Sequence, residues 1–253
     1  MDSAELANLD RVDRFHWFYR GKRTIVRYWI DRYVSLRSDD LLIDAGMGTG
    51  VWLVEMSSVC RVLGLDNSKE SIALGRLRLE AVGGATLKTS LYDVNLPDSC
   101  ATVVTILDVL EHLDDDRAAL QEMIRLVRPG GILVITVPAL RWLWSDWDVA
   151  LGHHRRYHMD DLLRLLRQPG VETLRCAYFN TAMLPPIALI RHWRRFLAPK
   201  SSGQRAEDKV PGSILNALLY HSLAIPARWA WFRPPIGVSL LAVLRRTEGS
   251  VQL

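Results

Sequence analysis

Cysteine is scarce in this chain of 253 residues: Cys60, Cys100 and Cys176 lie far apart and form no Cys-x-x-Cys pair. No disulfide framework and no structural zinc are expected, and the cysteine usage fits a reducing, cytoplasmic compartment. Long apolar runs are missing too. The best cover residues 132–140 and 181–190, the second interrupted by Pro185 and Pro186, against the roughly 18 to 20 residues a membrane-spanning helix requires. The stretch MDSAELANLDRVDRF is charged and lacks the apolar centre of a secretory signal, so none is expected. Neither an internal repeat nor a low-complexity tract is found. Acidic residues are thin in the second half: residues 141–253 hold 16 Lys+Arg against 8 Asp+Glu, whereas residues 1–140 hold 16 against 20. A basic half is suited to an anionic counterpart (a phosphate, a lipid surface or nucleic acid) or forms a solvated face.

What is present is an ordinary globular mix, 49% hydrophobic and 24% charged, long enough for one large domain with a sizeable core. Residues 4–19 and 22–36 carry helical patterns, with Gly21 as the expected break and Ile25, Trp29 and Tyr33 on one face of the second. From residue 40 short apolar runs (LLIDAG, RVLGLD, ATLKTS, TVVTIL, GILVITV) alternate with helical segments, which argues a parallel sheet covered on both faces. Gly83-Gly84 and Arg128-Pro129-Gly130-Gly131 are read as helix stops. Later come a helix near Asp160, a strand VETLRCAYF and a closing strand GVSLLAVLRR. The expected organisation is one domain: a helical cover over 1–38, a core over 39–179 and 237–246, and a helical insertion over 180–236 with a polar loop at 200–209.

The strongest chemical signal is Asp44-Ala-Gly46-Met-Gly48-Thr-Gly50, at a strand end and before a helix. Glycines let the backbone turn sharply and approach a ligand, and the helix N-terminus offers free N–H groups. A dinucleotide fingerprint would need glycine at 51, where Val51 stands, and no Lys or Arg lies in the loop to meet a phosphate. Asp66 ends the second run, Asp93 follows the third and Asp108 ends the fourth. A carboxylate after the second strand can accept both hydroxyls of a ribose. Four acids at four strand ends suit a cofactor carrying a ribose, an adenine and a positive centre.

Together these motifs resemble those of the class I S-adenosylmethionine-dependent methyltransferases, in particular the type 11 small-molecule group. Its glycine loop, the acid after strand two, D-x-x-x-L-P after strand three and D-V-x-E-H after strand four correspond to Asp44 to Gly50, Asp66, Asp93 to Pro97 and Asp108 to His112. The resemblance covers roughly residues 40–138. It implies a Rossmann-like, seven-stranded, mostly parallel α/β sheet, S-adenosylmethionine as cofactor and S-adenosylhomocysteine as product. By the same resemblance, Gly46, Gly48 and Gly50 approach the methionine part, Asp66 holds the ribose, Asn67, Asp93 and Val94 lie about the adenine, and Leu107 and Asp108 lie near the amino group. Asp44 is expected to order the glycine loop, and Tyr19 and Arg20 to close the site, Arg20 on the cofactor carboxylate.

The segment SDWDVALGHHRRYH is similar to a D-x4-H-x-R-R-Y pattern of one methyltransferase subgroup, with Asp148, His153, Arg156 and Tyr157 at the matching positions. A neutral imidazole is the commonest base for an attacking oxygen or nitrogen. His153 is therefore the first catalytic candidate, with Asp148 as its orienter and His112 as the second candidate. Arg155, Arg156 and Tyr157 are the expected substrate contacts. His154 and His158, four apart, lack a completing carboxylate or cysteine, so no metal is expected.

In the insertion, PPIALIRHWRRFLAPK places Arg191, Arg194 and Arg195 on one helical face and Ile187, Ile190 and Leu197 on another. Such a helix is either a lid over an apolar substrate or, through residues 185–200, a peripheral contact with an anionic membrane. The reading is methyl transfer to an oxygen, nitrogen or carbon of a small or lipid-like acceptor. An RNA methyltransferase and a non-catalytic partner protein of the same fold are the alternatives; no RNA-binding module is recognised, and no nucleic acid partner is expected.

Overall fold

The computed structural model describes residues 3–197 and 210–248. Seven strands, β1 (Leu41–Ala45), β2 (Arg61–Asp66), β3 (Ala85–Lys88), β4 (Ala101–Leu107), β5 (Val127–Pro138), β6 (Val171–Phe179) and β7 (Ser239–Arg246), form one sheet in the order β3-β2-β1-β4-β5-β7-β6. Strands β1 to β5 pair in parallel, and β7 runs antiparallel to both of its neighbours, β5 and β6. Nine helices accompany them among the described residues: α1 (Ser3–Asp13), α2 (Trp17–Tyr33), α3 (Val51–Met56), α4 (Lys69–Glu80), α5 (Asp116–Leu126), α6 (Asp146–Ala150), α7 (Met159–Leu166), α8 (Leu184–Leu197) and α9 (Ser213–Ala227).

Successive strand residues point to opposite faces of the sheet, so a strand buried on both faces must be apolar throughout. ATVVTIL in β4 comes close, its two buried threonines donating their hydroxyls to Asp40 and Asp44. Ile43, Val104 and Leu133 join Leu120 and Met123 of α5 and Leu162 and Leu166 of α7 on one face. Their neighbours Leu42, Val103, Ile132 and Val134 join Ile25 and Trp29 of α2, Leu53 of α3 and Leu223 of α9 on the other.

Two stop signals are corrected. Gly21 does not divide two helices; it lies inside α2, and the chain breaks at residues 14–16, where His16 caps α2 through Nδ1 accepting the Phe18 N–H at 3.3 Å. A Cβ on Gly21 would stand 2.6 Å from Leu223 Cδ2, so glycine there admits α9 against α2. Arg128 to Gly131 do not close a helix either: α5 ends at Leu126 and these residues belong to β5. Their register shifts between Ala101 and Val103 on β4, and Gly130 adopts φ +77°.

The 180–236 segment carries α8 and α9, the latter running to Ala227 with Pro226 in its last turn. The polar loop expected at 200–209 lies outside the described residues, as do the side chains of Arg194, Arg195 and Leu197. Among the described residues no helix is long and apolar enough to cross a membrane.

Candidate functional site

From β1 the chain proceeds outward to β2 and β3, and from β4 in the other direction to β5, so the C-terminal ends of β1 and β4 flank a topological switch point. The glycine loop emerges here with φ values of +77°, +52° and +75° at Gly46, Gly48 and Gly50, a region that side chains with a Cβ seldom occupy. A Cβ on Gly46 would also meet Val109 at 2.5 Å. The loop's amides are held by β2: Gly46 and Met47 N–H donate to the Leu65 carbonyl at 2.8 and 3.0 Å, and Gly48 N–H donates to Asp66 Oδ2 at 3.1 Å. Asp66 Oδ1 accepts Ser68 N–H at 2.9 Å. One carboxylate thus ties the loop to the start of α4, and Ser68 caps that helix by accepting Ser71 N–H.

Asp44 was expected to order this loop, but its hydrogen bond goes elsewhere: the fully interior carboxyl accepts Thr105 Oγ1 at 2.6 Å. Burial, opposed by Thr105 and by Lys22, pushes it up to about 7. Asp108 stands at φ +55°, where its carboxylate accepts Lys22 Nζ at 2.7 Å and Thr136 Oγ1 at 2.9 Å. Burial raises this carboxyl, yet Lys22 and Thr136 together hold it below the usual range.

Lys22 escaped the sequence reading. Its position shares the buried stripe of Ile25, Val26, Trp29 and Ile30 on α2, which was the available signal. Arg20, proposed instead, is exposed, with its guanidinium over the Tyr220 ring at 5.0 Å. Tyr19 is half-buried, its ring 5.6 Å from Lys22 Nζ. The helical cover does reach the loop: Thr49 Oγ1 donates to Asp13, Arg78 donates to the Thr49 carbonyl at 2.6 Å and pairs with Asp10, and Arg23 joins Asp13 to Glu55.

Asn67 and Asp93 are exposed beyond β2 and β3. Val94 is buried with its N–H donated to Glu122, and Leu107, the last residue of β4, packs on the α2 face.

A second cluster adjoins Asp108. Glu111 and His112 sit in a 3-10 turn, Leu110–His112, just after β4. His153 follows α6, and its ring meets that of His112 edge-on at 4.8 Å between centroids. Asp148 is fully buried and accepts His153 Nδ1–H at 3.0 Å and Arg156 Nε–H at 2.6 Å on Oδ1, and Ser145 N–H at 2.9 Å on Oδ2. The His153 and Arg156 partners overcome burial and keep this carboxyl far below its ordinary value, hence ionised. Burial lowers His112 to about 4, and His112 Nδ1–H donates to the Gly152 carbonyl at 3.3 Å. Glu111, passed over in the sequence, is fully buried with neither carboxyl oxygen hydrogen-bonded; burial, and then the charge of Asp108, push it well above the usual range.

The expected substrate contacts are engaged by protein partners in the structure. Arg156 is buried and committed to Asp148 and to the Ala139 carbonyl, and the buried Tyr157 donates its hydroxyl to Asp116 at 2.7 Å. Arg155 pairs with the same Asp116 at 3.0 Å and donates to the Asp114 carbonyl. These side chains frame the loop that carries His153. His154 pairs with Asp114 and His158 caps α7, so those two histidines do not converge.

A methyltransferase-domain family matches residues 43–135, from β1 into β5. Over 134 residues the chain is 31% identical to an S-adenosylmethionine-dependent methyltransferase of Mycolicibacterium smegmatis, covering 52% of this chain and 51% of that one. Over 165 residues it is 30% identical to a ubiquinone biosynthesis O-methyltransferase of Aromatoleum aromaticum, covering 57% and 69%. The chain thus spans between about half and two thirds of the length of these curated relatives. In a Haloferax volcanii complex between the Trm112 methyltransferase activator and a methyltransferase, one chain matches with a TM-score of 0.64 at 17% identity, covering 97% of this chain and 96% of that one. At that identity the likeness is one of fold.

Proposed function

Because the chain belongs to the S-adenosylmethionine-dependent methyltransferases, we propose that it methylates a hydroxyl oxygen of a small or lipid-like acceptor, with His153 taking the acceptor's proton. S-adenosylmethionine supplies the electrophilic methyl group on a sulfonium. The residues at the switch point fit this cofactor. Asp66 is anchored by backbone N–H groups at the strand end where ribose hydroxyls need a carboxylate, and a Cβ on Gly48 would find only Leu9, at 3.9 Å, leaving that backbone open to a ligand. Asp66 lies against the loop, while Asp44 is interior beside Thr105 and Asp108 is paired with Lys22.

The observation that carries the reading is the His153–Asp148 pair. Nδ1–H is given to a buried carboxylate, which fixes the tautomer and leaves the lone pair on Nε2 for a proton. Displacement at a sulfonium asks the protein for alignment and one proton transfer, and a positioned base contributes typically 10²–10⁴-fold. The test is transfer of labelled methyl groups to a panel of hydroxylated acceptors, with donor binding followed by calorimetry. His153→Gln is expected to lower kcat by at least about a hundredfold with donor affinity retained, and Asp66→Ala to abolish donor binding. Undiminished kcat in His153→Gln would overturn the assignment.

The acceptor's lipid-like character is supported by the insertion. Ile214 and Leu218 on α9 and Trp231 beyond it are 78%, 63% and 76% exposed, and Trp229 and Trp231 stack at 5.4 Å. With the basic balance of residues 141–253, these groups suit an anionic bilayer surface. Cosedimentation with vesicles containing phosphatidylglycerol, weakened by salt and by Trp231→Ala, is the expected result. Equal pelleting with neutral vesicles, or none with either, would refute it.

A further inference from the structure

Among the described residues, the buried side-chain oxygens without a hydrogen-bond partner are both of those of Glu111 and one of Asn180. The Glu111 pair is not isolated. A carboxyl oxygen of Glu111 and one ring nitrogen each from His112 and His153 lie within 4.8 Å of one another. The hydrogen bonds around the two rings show where their protons are. Gly152 offers His112 Nδ1 a carbonyl oxygen, which can only accept, and Asp148 offers His153 Nδ1 an ionised carboxylate. Both rings therefore carry hydrogen on Nδ1 and the lone pair on Nε2. The cluster brings the two Nε2 lone pairs together with a buried carboxyl whose oxygens have no hydrogen-bond partner among the described residues. Such a set is complete when a cation lies between its members.

We propose that Glu111, His112 and His153 form a binding site for a divalent first-row transition-metal ion. Two imidazoles and a carboxylate suit zinc, manganese, iron, cobalt or nickel better than magnesium or calcium, which favour all-oxygen shells. The surroundings are those a ligating histidine needs: a carboxylate behind His153, itself fixed by Arg156, and a backbone carbonyl behind His112. Donor atoms about 2.1 Å from a common centre lie at most about 4.2 Å apart, so the cluster must contract by somewhat less than 1 Å, within reach of small side-chain rotations. Three protein ligands leave at least one position for water or an acceptor oxygen.

In the metal-loaded protein His153 is a ligand. The ion would supply Lewis acidity towards an acceptor hydroxyl, whose proton would then pass to solvent water. In the metal-free protein the imidazole keeps that task. The binding site itself stands independently of the proposed acceptor.

The test uses untagged full-length protein, stripped with chelator and titrated with Co²⁺. One ion per chain is expected, with visible d–d absorption, displacement by Zn²⁺ and indifference to millimolar Mg²⁺. Glu111→Gln and His112→Ala should each weaken Co²⁺ binding at least tenfold, with folding checked by circular dichroism. His112, only half-buried, carries the comparison should Glu111→Gln fail to fold. Absence of stoichiometric Co²⁺ on the wild type, or unchanged affinity in a folded variant, would overturn the proposal. Calorimetry with S-adenosylmethionine on the metal-free protein is read separately, so a failed donor site and a failed metal site give different results.

Discussion

Replacing Asp148 by asparagine keeps the shape of the side chain and removes one charge from the interior. The carboxylate is fully buried, with Arg156 Nε at 2.6 Å, His153 Nδ1 at 3.0 Å and Arg191 Nη1 at 3.6 Å. Arg156 is itself buried, so the substitution strands a guanidinium whose counter-ion was Asp148. Breaking a buried pair by deleting one partner costs about 3–5 kcal/mol; because the amide oxygen still accepts one bond, about 3 kcal/mol is expected. In a chain of this length that corresponds to a fall in Tm of roughly 6–12 °C. Urea unfolding followed by tryptophan emission, with m unchanged, measures it. The folded-state pKa of Asp148 lies below its unfolded value, so its contribution is fully present above about pH 4 and is lost as pH falls towards the folded value. The gap between wild type and variant should be flat from pH 8 to 5 and shrink by about 1 kcal/mol per pH unit below 4. A gap under about 1 kcal/mol at pH 7, the size expected of a solvated surface pair, would refute the reasoning.

Gly46→Ala places a Cβ at φ +77° and 2.5 Å from Val109, so it should cost about 2–3 kcal/mol in urea unfolding and weaken donor binding by calorimetry at least tenfold. Lys22→Met leaves the Asp108 carboxylate with Thr136 alone. A stability loss of about 1–2 kcal/mol at pH 7 is expected. Because Lys22 holds the Asp108 pKa down, that loss should disappear as pH drops below 4. Asp44 runs with the opposite sign: its folded pKa, about 7, lies above the ordinary 3.8. The wild type should therefore lose stability as pH rises from 4 to 7, by at most about 4 kcal/mol. Glu111, raised as well, adds to the same loss, so Asp44→Asn should lower the slope without abolishing it, which parallel chemical denaturation series will show; an unchanged slope would mean that Asp44 titrates normally.

The parallel core was legible because its signals are local: apolar runs of strand length, glycines where φ turns positive and acids at strand ends. What stayed hidden depended on contacts distant in sequence. Gly21 reads as a breaker until Leu223, about two hundred residues later, is seen packed on its bare Cα. Arg156 and Tyr157 read as substrate contacts because they stand in a pattern similar to that of one methyltransferase subgroup and an arginine can hold an anionic group. Nothing in HHRRYH announces that Asp148 and Asp116 take both inward.

The segment DVLEH shows the same division within five residues. Its match to a motif marked it as a candidate site, and the ladder of β4 places Asp108 at the switch point. The 3-10 turn that follows then sends Glu111 into the interior and His112 towards the loop of His153. The His154 N–H, donated to the Glu111 carbonyl at 2.7 Å, holds the histidine loop against this turn. The spacing D-x-x-E-H acquires its meaning from that backbone contact: it joins a strand end that suits the donor to a cluster that suits a proton or a metal ion.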